Sequence, residues 1–255
     1  MSAIAHYEVL GPIARDRELT ELRRRIRQDK SFLVHGESGA GKTFLVRLAA
    51  REFPRILYCA DSSAGQPVFH SLARELLAAN DHVLRRACGR SGAEMIKEKS
   101  TLALRGLVMD ALHGGRYWVV LDHLSRTSAG LASDVRDMMF WGHTPVLVVA
   151  RSTHMEDLGF LTALFCLPEE RMHVRPFDLA TASAFTEQVA ALYGFDASNR
   201  DDFLRRVVQL SDRLPGRIVT LIKMGLLSRY RTGGHVKFSP LYIDFRLAWH
   251  AANAY

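Results

Sequence analysis

The segment GESGAGKT, residues 36 to 43, constrains this chain more than any other feature. It follows a short apolar run, SFLVHG at 31 to 36, and precedes residues 43 to 52, where apolar side chains recur at helical spacing. A glycine-rich turn between a strand and a helix, ending in Lys and Thr, is the pattern of a phosphate-binding loop. Its glycines let backbone N–H groups turn inward around a phosphate, and the helix that follows adds its dipole. We therefore expect an α/β fold built around this loop.

Two residues of the loop are expected to do most of the binding. Lys42 should reach the β- and γ-phosphates, and Thr43 should supply its hydroxyl to Mg²⁺. The sequence lacks the N/T-K-x-D guanine motif, so ATP is the default nucleotide. The residues expected to line the nucleotide here are Gly36, Glu37, Ser38, Gly39, Ala40, Gly41, Lys42, Thr43 and Phe44.

Strand-like and helix-like segments alternate over the first two thirds of the chain. This alternation predicts a P-loop NTPase three-layer sandwich with a five-stranded parallel sheet, followed by a small all-helical lid domain. The predicted domains are residues 1–177, the α/β ATPase domain, residues 178–232, the helical lid, and residues 233–255, a tail of unknown packing. The predicted strands are SFLVHG (31–36), RILYCA (55–60), YWVVLD (117–122), PVLVVA (145–150) and MHVRPF (172–177), and the predicted lid helices are 178–194, 199–212 and 215–230.

The strand YWVVLD ends in an acid, Asp122, which is placed to anchor Mg²⁺ through its water shell. The additional strand RILYCA lies between the loop and Asp122 in the sequence, which predicts that Asp122 is on a strand not adjacent to the phosphate-loop strand. PVLVVA ends at Arg151, a candidate for contact with the γ-phosphate; a surface arginine at a strand end is the other interpretation.

His123 stands where an acid that polarises the attacking water is expected. Three interpretations are open: hydrolysis is slow, the His123 imidazole acts as the base, or an acid such as Glu37 or Glu156 reaches in from elsewhere. Slow hydrolysis is the preferred interpretation.

These motifs together resemble the AAA+ superfamily, particularly its origin-recognition-like branch and the STAND signalling ATPases. The resemblance is carried by GPIARDRELTEL (11–22), GESGAGKT, VVLD, LVVARS and RLPGRIVTLI (213–222). It implies that Arg15 borders the adenine and ribose and that Arg151 senses the γ-phosphate. It also implies that Pro215 and Arg217 approach the nucleotide from the lid.

The same resemblance bears on assembly. Arg171 matches the place of an arginine that completes a neighbouring subunit's site, which leaves open a nucleotide-dependent homo-oligomer, ring or filament. The 25 residues after Tyr230 are too few for the winged helix that follows the lid in origin-recognition-like proteins. If DNA is bound, another surface is expected to read it.

Composition narrows the partners. The net charge of +7 and the sequence pI near 9.6 favour an anionic partner, and DNA is the preferred one. The densest basic stretches are 23–30 and 226–237, although ordinary solvated surfaces explain them equally well. Three scattered cysteines, no secretory leader pattern and no apolar run of about 20 residues lead us to expect a cytoplasmic protein and no membrane partner.

Three functions follow from these patterns. The leading one is an ATP-binding switch with slow hydrolysis that acts on DNA, of the DNA-loading or transposition-accessory type. The second is a nucleotide-binding scaffold or STAND-type signalling module that does not hydrolyse ATP. The third, a small-molecule kinase, is disfavoured by the arginine at the strand tip.

Overall fold

The computed structural model describes residues 15–60, 62, 65–89, 92–113, 117–124 and 126–253. Most of the GPIARD segment and the glycines at 114 and 115 lie outside the described residues. The chain divides into two compact units. One, the α/β unit, contains residues 18–36 and 45–173; the other, the helical unit, contains residues 37–44 and the chain from Val174 onward, together with the segment that ends at Arg17.

A five-stranded sheet forms the centre of the α/β unit, and every strand pair in it is parallel. Its order is β2-β3-β4-β1-β5. All five residues of β4, the central strand, are apolar and buried, as is usual in a parallel sheet covered by helices on both faces. The strands are β1 (Phe32–His35), β2 (Ile56–Cys59), β3 (Trp118–Leu124), β4 (Val146–Ala150) and β5 (Arg171–His173).

The predicted separation of Asp122 from the phosphate-loop strand is confirmed, because β4 lies between β1 and β3. The strand RILYCA became β2 at the edge of the sheet, beyond β3. The fifth strand is shorter than predicted and ends at His173. Pro176 explains part of this difference, since proline has no N–H to continue a ladder.

Apolar residues recur at helical spacing over 17–28, 43–52, 67–79 and 99–112, which predicts a helix in each segment, and each helix is present. Within the described residues before β5, four further helices were not predicted. One of them, α7, does carry a helical signal, since Leu131, Val135 and Met138 are all buried on one face behind the cap Ser128. The helices that begin before β5 are α1 (Asp16–Arg27), α2 (Lys42–Ala50), α3 (Gly65–Ala78), α4 (His82–Cys88), α5 (Gly92–Glu98), α6 (Thr101–Leu112), α7 (Ala129–Phe140) and α8 (Met155–Leu158).

The helical unit has its own core, rich in phenylalanine. A methyl group added at Gly225 would lie 2.7 Å from the ring of Phe203, so these aromatic rings fill the space beside the helix end. That close packing coincides with the end of α11, which stops well before the predicted residue 230. The helices of this unit are α9 (Leu179–Leu192), α10 (Arg200–Leu210), α11 (Pro215–Gly225) and α12 (Phe238–Asn253).

Residues 233–253, most of the predicted tail, contribute to a hairpin and a helix. A short antiparallel hairpin pairs β6 (Arg231–Thr232) with β7 (His235–Val236), and α12 follows it. Leu241 and Phe245 of α12 are buried in the core of the helical unit. The domain boundaries at 177 and 232 stay predictions.

Among the helices of the described ranges, none is both long enough and apolar enough to cross a membrane.

Candidate functional site

The phosphate loop has the backbone shape that its glycines permit. Gly39 and Gly41 have φ angles of 86° and 93°, in the left-handed half of conformational space that residues with a Cβ atom rarely enter. The N–H of Ala40 donates to the carbonyl of Glu37 at 3.1 Å, which closes a turn inside the loop. The Lys42 ammonium donates to the same carbonyl at 2.9 Å. Lys42 is the first residue of α2, so the loop leads directly into a helix N-terminus.

Arg15 supports this loop from below the surface. Its side chain is buried, and Nη2 donates to the carbonyl of Ala40 at 3.2 Å and to that of Arg175 at 2.8 Å. The guanidinium also lies 4.3 Å from the centre of the Phe177 ring. Contact of Arg15 with adenine and ribose stays a prediction, whereas these bonds give Arg15 a structural task in holding the loop.

The N-terminus of α11 packs directly on the loop. The N–H of Gly216 donates to the carbonyl of Gly39 at 2.9 Å. A Cβ atom at Gly216 would lie 2.9 Å from Cα of Gly39, which is closer than real Cβ contacts come. Pro215, predicted to approach the nucleotide, occupies the first turn of α11, where its missing N–H costs nothing.

Arg217 follows on the same turn and faces Glu37 of the loop. Its guanidinium donates to Asp212, lies 3.9 Å from the Glu37 carboxylate, and sits 4.9 Å from the Trp249 ring centre. The Trp249 ring in turn lies against Gly39, since a Cβ atom there would be 3.1 Å from the ring edge. Trp249 was not predicted as a site residue, because nothing in the sequence connects α12 with the loop.

A second group of candidate residues lies at the carboxyl ends of the strands in the α/β unit. Asp122 is 1% exposed and sits at an irregularity in the pairing of β3 with β4. Its Oδ1 accepts a hydrogen bond from the His123 N–H at 2.8 Å, a contact made possible by the left-handed φ of 55° at His123. The His123 side chain is 65% exposed, with Nε2 3.8 Å from Asp122 Oδ2.

Tyr58 of β2 is a site residue that sequence reasoning missed. Its hydroxyl donates to Oδ2 of Asp122. Burial raises the pKa of the Tyr58 hydroxyl and the Asp122 charge raises it further, while Arg47 opposes both effects. Tyr58 is therefore a neutral donor at physiological pH. The pairing of β2 with β3 places Tyr58 opposite Val120, two residues before Asp122, but no local pattern announces this contact.

Two other predicted arginines belong to the α/β unit. Arg151 follows β4, its side chain is exposed, and its carbonyl accepts the Gly36 N–H at 3.2 Å. Arg171 is half-buried at the start of β5, where Nε donates to the carbonyl of Phe165 at 2.7 Å. Contact of Arg151 with a γ-phosphate and a role for Arg171 in a neighbouring site both stay predictions.

The donor chemistry of Thr43 and Asp122 suits Mg²⁺. A hydroxyl and a carboxylate are hard oxygen donors, and Mg²⁺ in phosphate sites is held by one or two such groups plus phosphate oxygens. Within the described ranges there is no cluster of three or more His, Cys, Asp or Glu side chains that would build an all-protein metal cage. Oxygen donors of these two kinds are the ones that a phosphate-bound Mg²⁺ uses.

Comparison with known proteins agrees with this geometry. Residues 12–139 match the family described as AAA ATPase domain. No significant match is found among curated proteins. A Walker-type ATPase of Pyrococcus abyssi superposes with a TM-score of 0.59 at 15% identity, covering 94% of this chain and 73% of that one. The Orc1 protein of Aeropyrum pernix, solved in complex with DNA, superposes with a TM-score of 0.61 at 16% identity, covering 93% of this chain and 65% of the Orc1 chain. At such identities the likeness is one of fold.

The close approach of Gly216 to Gly39 leads to a prediction. Gly216→Ala should push α11 off the loop, because the neighbouring atoms are backbone and cannot swing aside. We expect amide hydrogen exchange in residues 37–41 to speed up about tenfold, the effect of losing about 1.4 kcal/mol of local stability. Gly106→Ala is the control, since its methyl group would meet nothing within 4 Å. If amide hydrogen exchange in residues 37–41 is unchanged in the Gly216→Ala variant, the close contact between Gly216 and Gly39 is contradicted.

Proposed function

Since the chain belongs to the AAA ATPase domain family, we propose that it is an ATP-dependent molecular switch with slow hydrolysis. The observation that carries this proposal is that loop residues 37–44 form one compact unit with the helices after Val174. A ligand that reshapes the loop would act on the Gly216 N–H, on Arg217 and on Trp249, which all contact it. Nucleotide binding would thereby change the conformation of the helical unit.

Each site residue has a distinct task in this proposal. Lys42 moves its ammonium from the Glu37 carbonyl to the phosphate oxygens, and Thr43 and Asp122 hold Mg²⁺. The metal, when bound, neutralises charge on the phosphates. Arg151, exposed at the end of β4, reads the γ-phosphate. Arg217, only 17% exposed beside Glu37, supplies a positive charge from the helical unit.

The residue at position 123 supports slow turnover. An acid there would orient and deprotonate water, whereas the largely exposed His123 side chain offers no carboxylate for that task. The same observation favours the second candidate, a scaffold that binds nucleotide without hydrolysing it. The two differ only in whether the chemical step occurs.

The proposal also includes DNA as the target of the switch. The Orc1 neighbour was solved with DNA, and this chain carries a net charge of +7. Of the two basic stretches, 226–237 is the better candidate. It contains no carboxylate, and Arg229 and Lys237 are exposed. In α1, by contrast, Arg23 pairs with Glu52 and Arg24 with Glu21. Hydrogen bonding by Arg24 is the main reason that the pKa of Glu21 falls to about 2.

Assembly belongs to the proposal as well. ATP at a subunit contact would create or dissolve a homo-oligomer, with Arg171 facing the neighbouring site. Arg171 would first have to leave the carbonyl of Phe165 to which it is bonded in the single chain.

The first test is loss of the ammonium. Lys42→Ala should weaken ATP affinity about 10- to 100-fold, since a hydrogen bond to a charged group contributes about 1.5–3 kcal/mol. Isothermal titration calorimetry with Mg²⁺ present measures this affinity. Lys97→Ala, which removes an exposed lysine from α5, should leave affinity unchanged. Full affinity in Lys42→Ala would refute nucleotide binding by this loop.

The second test restores the missing acid. His123→Glu should raise single-turnover hydrolysis at least about tenfold, because a positioned general base contributes about 10²- to 10⁴-fold. His123→Gln is the matched control. Glutamine has the same shape as glutamate but carries no charge, and it bears the same backbone strain at position 123. If the Glu variant hydrolyses no faster than wild type or the Gln variant, the assignment of position 123 is wrong.

The third test concerns DNA. Removing Lys237 should lower the slope of log affinity against log salt by about one, as expected for one lost phosphate contact. Sedimentation with ADP, ATP and duplex DNA in combination would report binding and assembly together. Arg24→Ala, from the ion-paired face of α1, is the control. Absence of any salt-dependent complex would remove DNA from the proposal.

A further inference from the structure

Both oxygens of the buried Asp122 carboxylate receive a hydrogen bond inside the α/β unit. Oδ1 accepts from the His123 N–H, and Oδ2 accepts from the Tyr58 hydroxyl. These two donors come from different places, one from the next residue and one from the neighbouring strand β2. The carboxylate plane is therefore fixed at two points, although the side chain alone could rotate.

Tyr58 is itself held from two sides. The Arg47 guanidinium lies 5.0 Å from the centre of its ring. On the other side, β2 pairs in parallel with β3, and the neighbours of Tyr58 along the strand, Leu57 and Cys59, are buried. The hydroxyl position is thus fixed by its surroundings.

We propose that Tyr58 is a positioning residue that orients Asp122 for Mg²⁺. This inference rests on the proposed function, in which Asp122 anchors the metal. Each carboxylate oxygen has two lone-pair sites, so an oxygen that accepts from Tyr58 can still accept from a metal-bound water. Tyr58 acts through Asp122 and is not itself a metal ligand in this proposal.

The physical consequence is a metal site prepared before metal arrives. Partners that orient a metal-holding side chain typically contribute 10- to 100-fold to metal affinity or activity. Without the Tyr58 hydroxyl, a nearly fully buried carboxylate would lose the hydrogen bond to its Oδ2 atom, and its orientation would be less well fixed. Binding Mg²⁺ would then require the carboxylate to be reoriented first.

The experiment measures how much Mg²⁺ the chain needs to bind ATP. Tyr58→Phe keeps the ring and removes only the hydroxyl. We expect the Mg²⁺ concentration at half-maximal ATP binding to rise about tenfold. ATP affinity in excess chelator should stay unchanged. A fluorescent ATP analogue, titrated with Mg²⁺ at fixed protein concentration, reports both values without relying on hydrolysis.

Tyr117→Phe is the matched control. Its hydroxyl donates to Asp81 Oδ2 at 3.1 Å, so the variant removes the same kind of bond from a carboxylate that caps α4. Both variants should lose a comparable amount of stability in urea unfolding. Only Tyr58→Phe should change the Mg²⁺ requirement. If Tyr58→Phe does not fold, Arg47→Met, which removes the cation beside the Tyr58 ring, takes its place with the same expected direction.

The outcomes separate the two claims. A wild-type chain that binds ATP without Mg²⁺ dependence, or an Asp122→Asn variant with normal dependence, would overturn the metal assignment on which the inference rests. If Asp122→Asn loses its Mg²⁺ dependence as expected, but the Mg²⁺ midpoint of the position-58 variant is unchanged, only the inference about Tyr58 is overturned. Equal loss of affinity with and without Mg²⁺ would also overturn it, because that is the result of a purely structural role.

Discussion

The phosphate loop depends on the way its carbonyl groups are satisfied. Glu37, Gly39 and Ala40 each present a carbonyl that accepts a hydrogen bond: from the Lys42 ammonium, from the Gly216 N–H and from the Arg15 guanidinium, respectively. These bonds fix the backbone of a glycine-rich loop, and such loops are the kind in which backbone amides bind anions. Two of these three donors lie outside the loop. The anion-binding shape is therefore a property of the helical unit and not of eight residues alone.

A different constraint governs the strand ends of the α/β unit. A carboxylate that is nearly excluded from solvent must be hydrogen-bonded, and an irregular step in β3 provides part of the solution. The left-handed His123 turns its N–H back to Asp122, and the exposed imidazole points to solvent. This backbone requirement explains why a histidine is tolerated at position 123, because histidine is among the residues that enter this conformation more readily than most.

Local patterns predicted the features that depend on local chemistry. The phosphate loop, the strands and the position of Asp122 could be predicted because apolar runs and glycine positions report backbone needs directly. The predicted strand 172–177 was too long. Val174 and Phe177 are buried, but they do not pair with a neighbouring strand. Helix α7 was missed although its periodicity was visible. The hairpin before α12 was missed because two-residue strands have too few residues to show alternation.

The contacts that complete the candidate site could not be predicted in this way. Trp249 and Tyr58 look like ordinary core aromatics in the sequence, and both acquire their place through packing between distant segments. Arg15 is the instructive case: its position was expected from resemblance, but its bonds to two backbone carbonyls show a supporting task that resemblance did not suggest. A family pattern predicts where a residue lies more reliably than it predicts which atoms the side chain binds.

The bond from Gly216 to Gly39 has a consequence for biosynthesis. A ribosome releases the loop early, but the donor of that bond and the tryptophan that covers Gly39 emerge only after the rest of the α/β unit has been made. Nascent chains would carry a loop whose carbonyls lack these partners until α11 and α12 have left the exit tunnel. The loop would therefore reach its final backbone shape only after the α/β unit, α11 and α12 have all been synthesised.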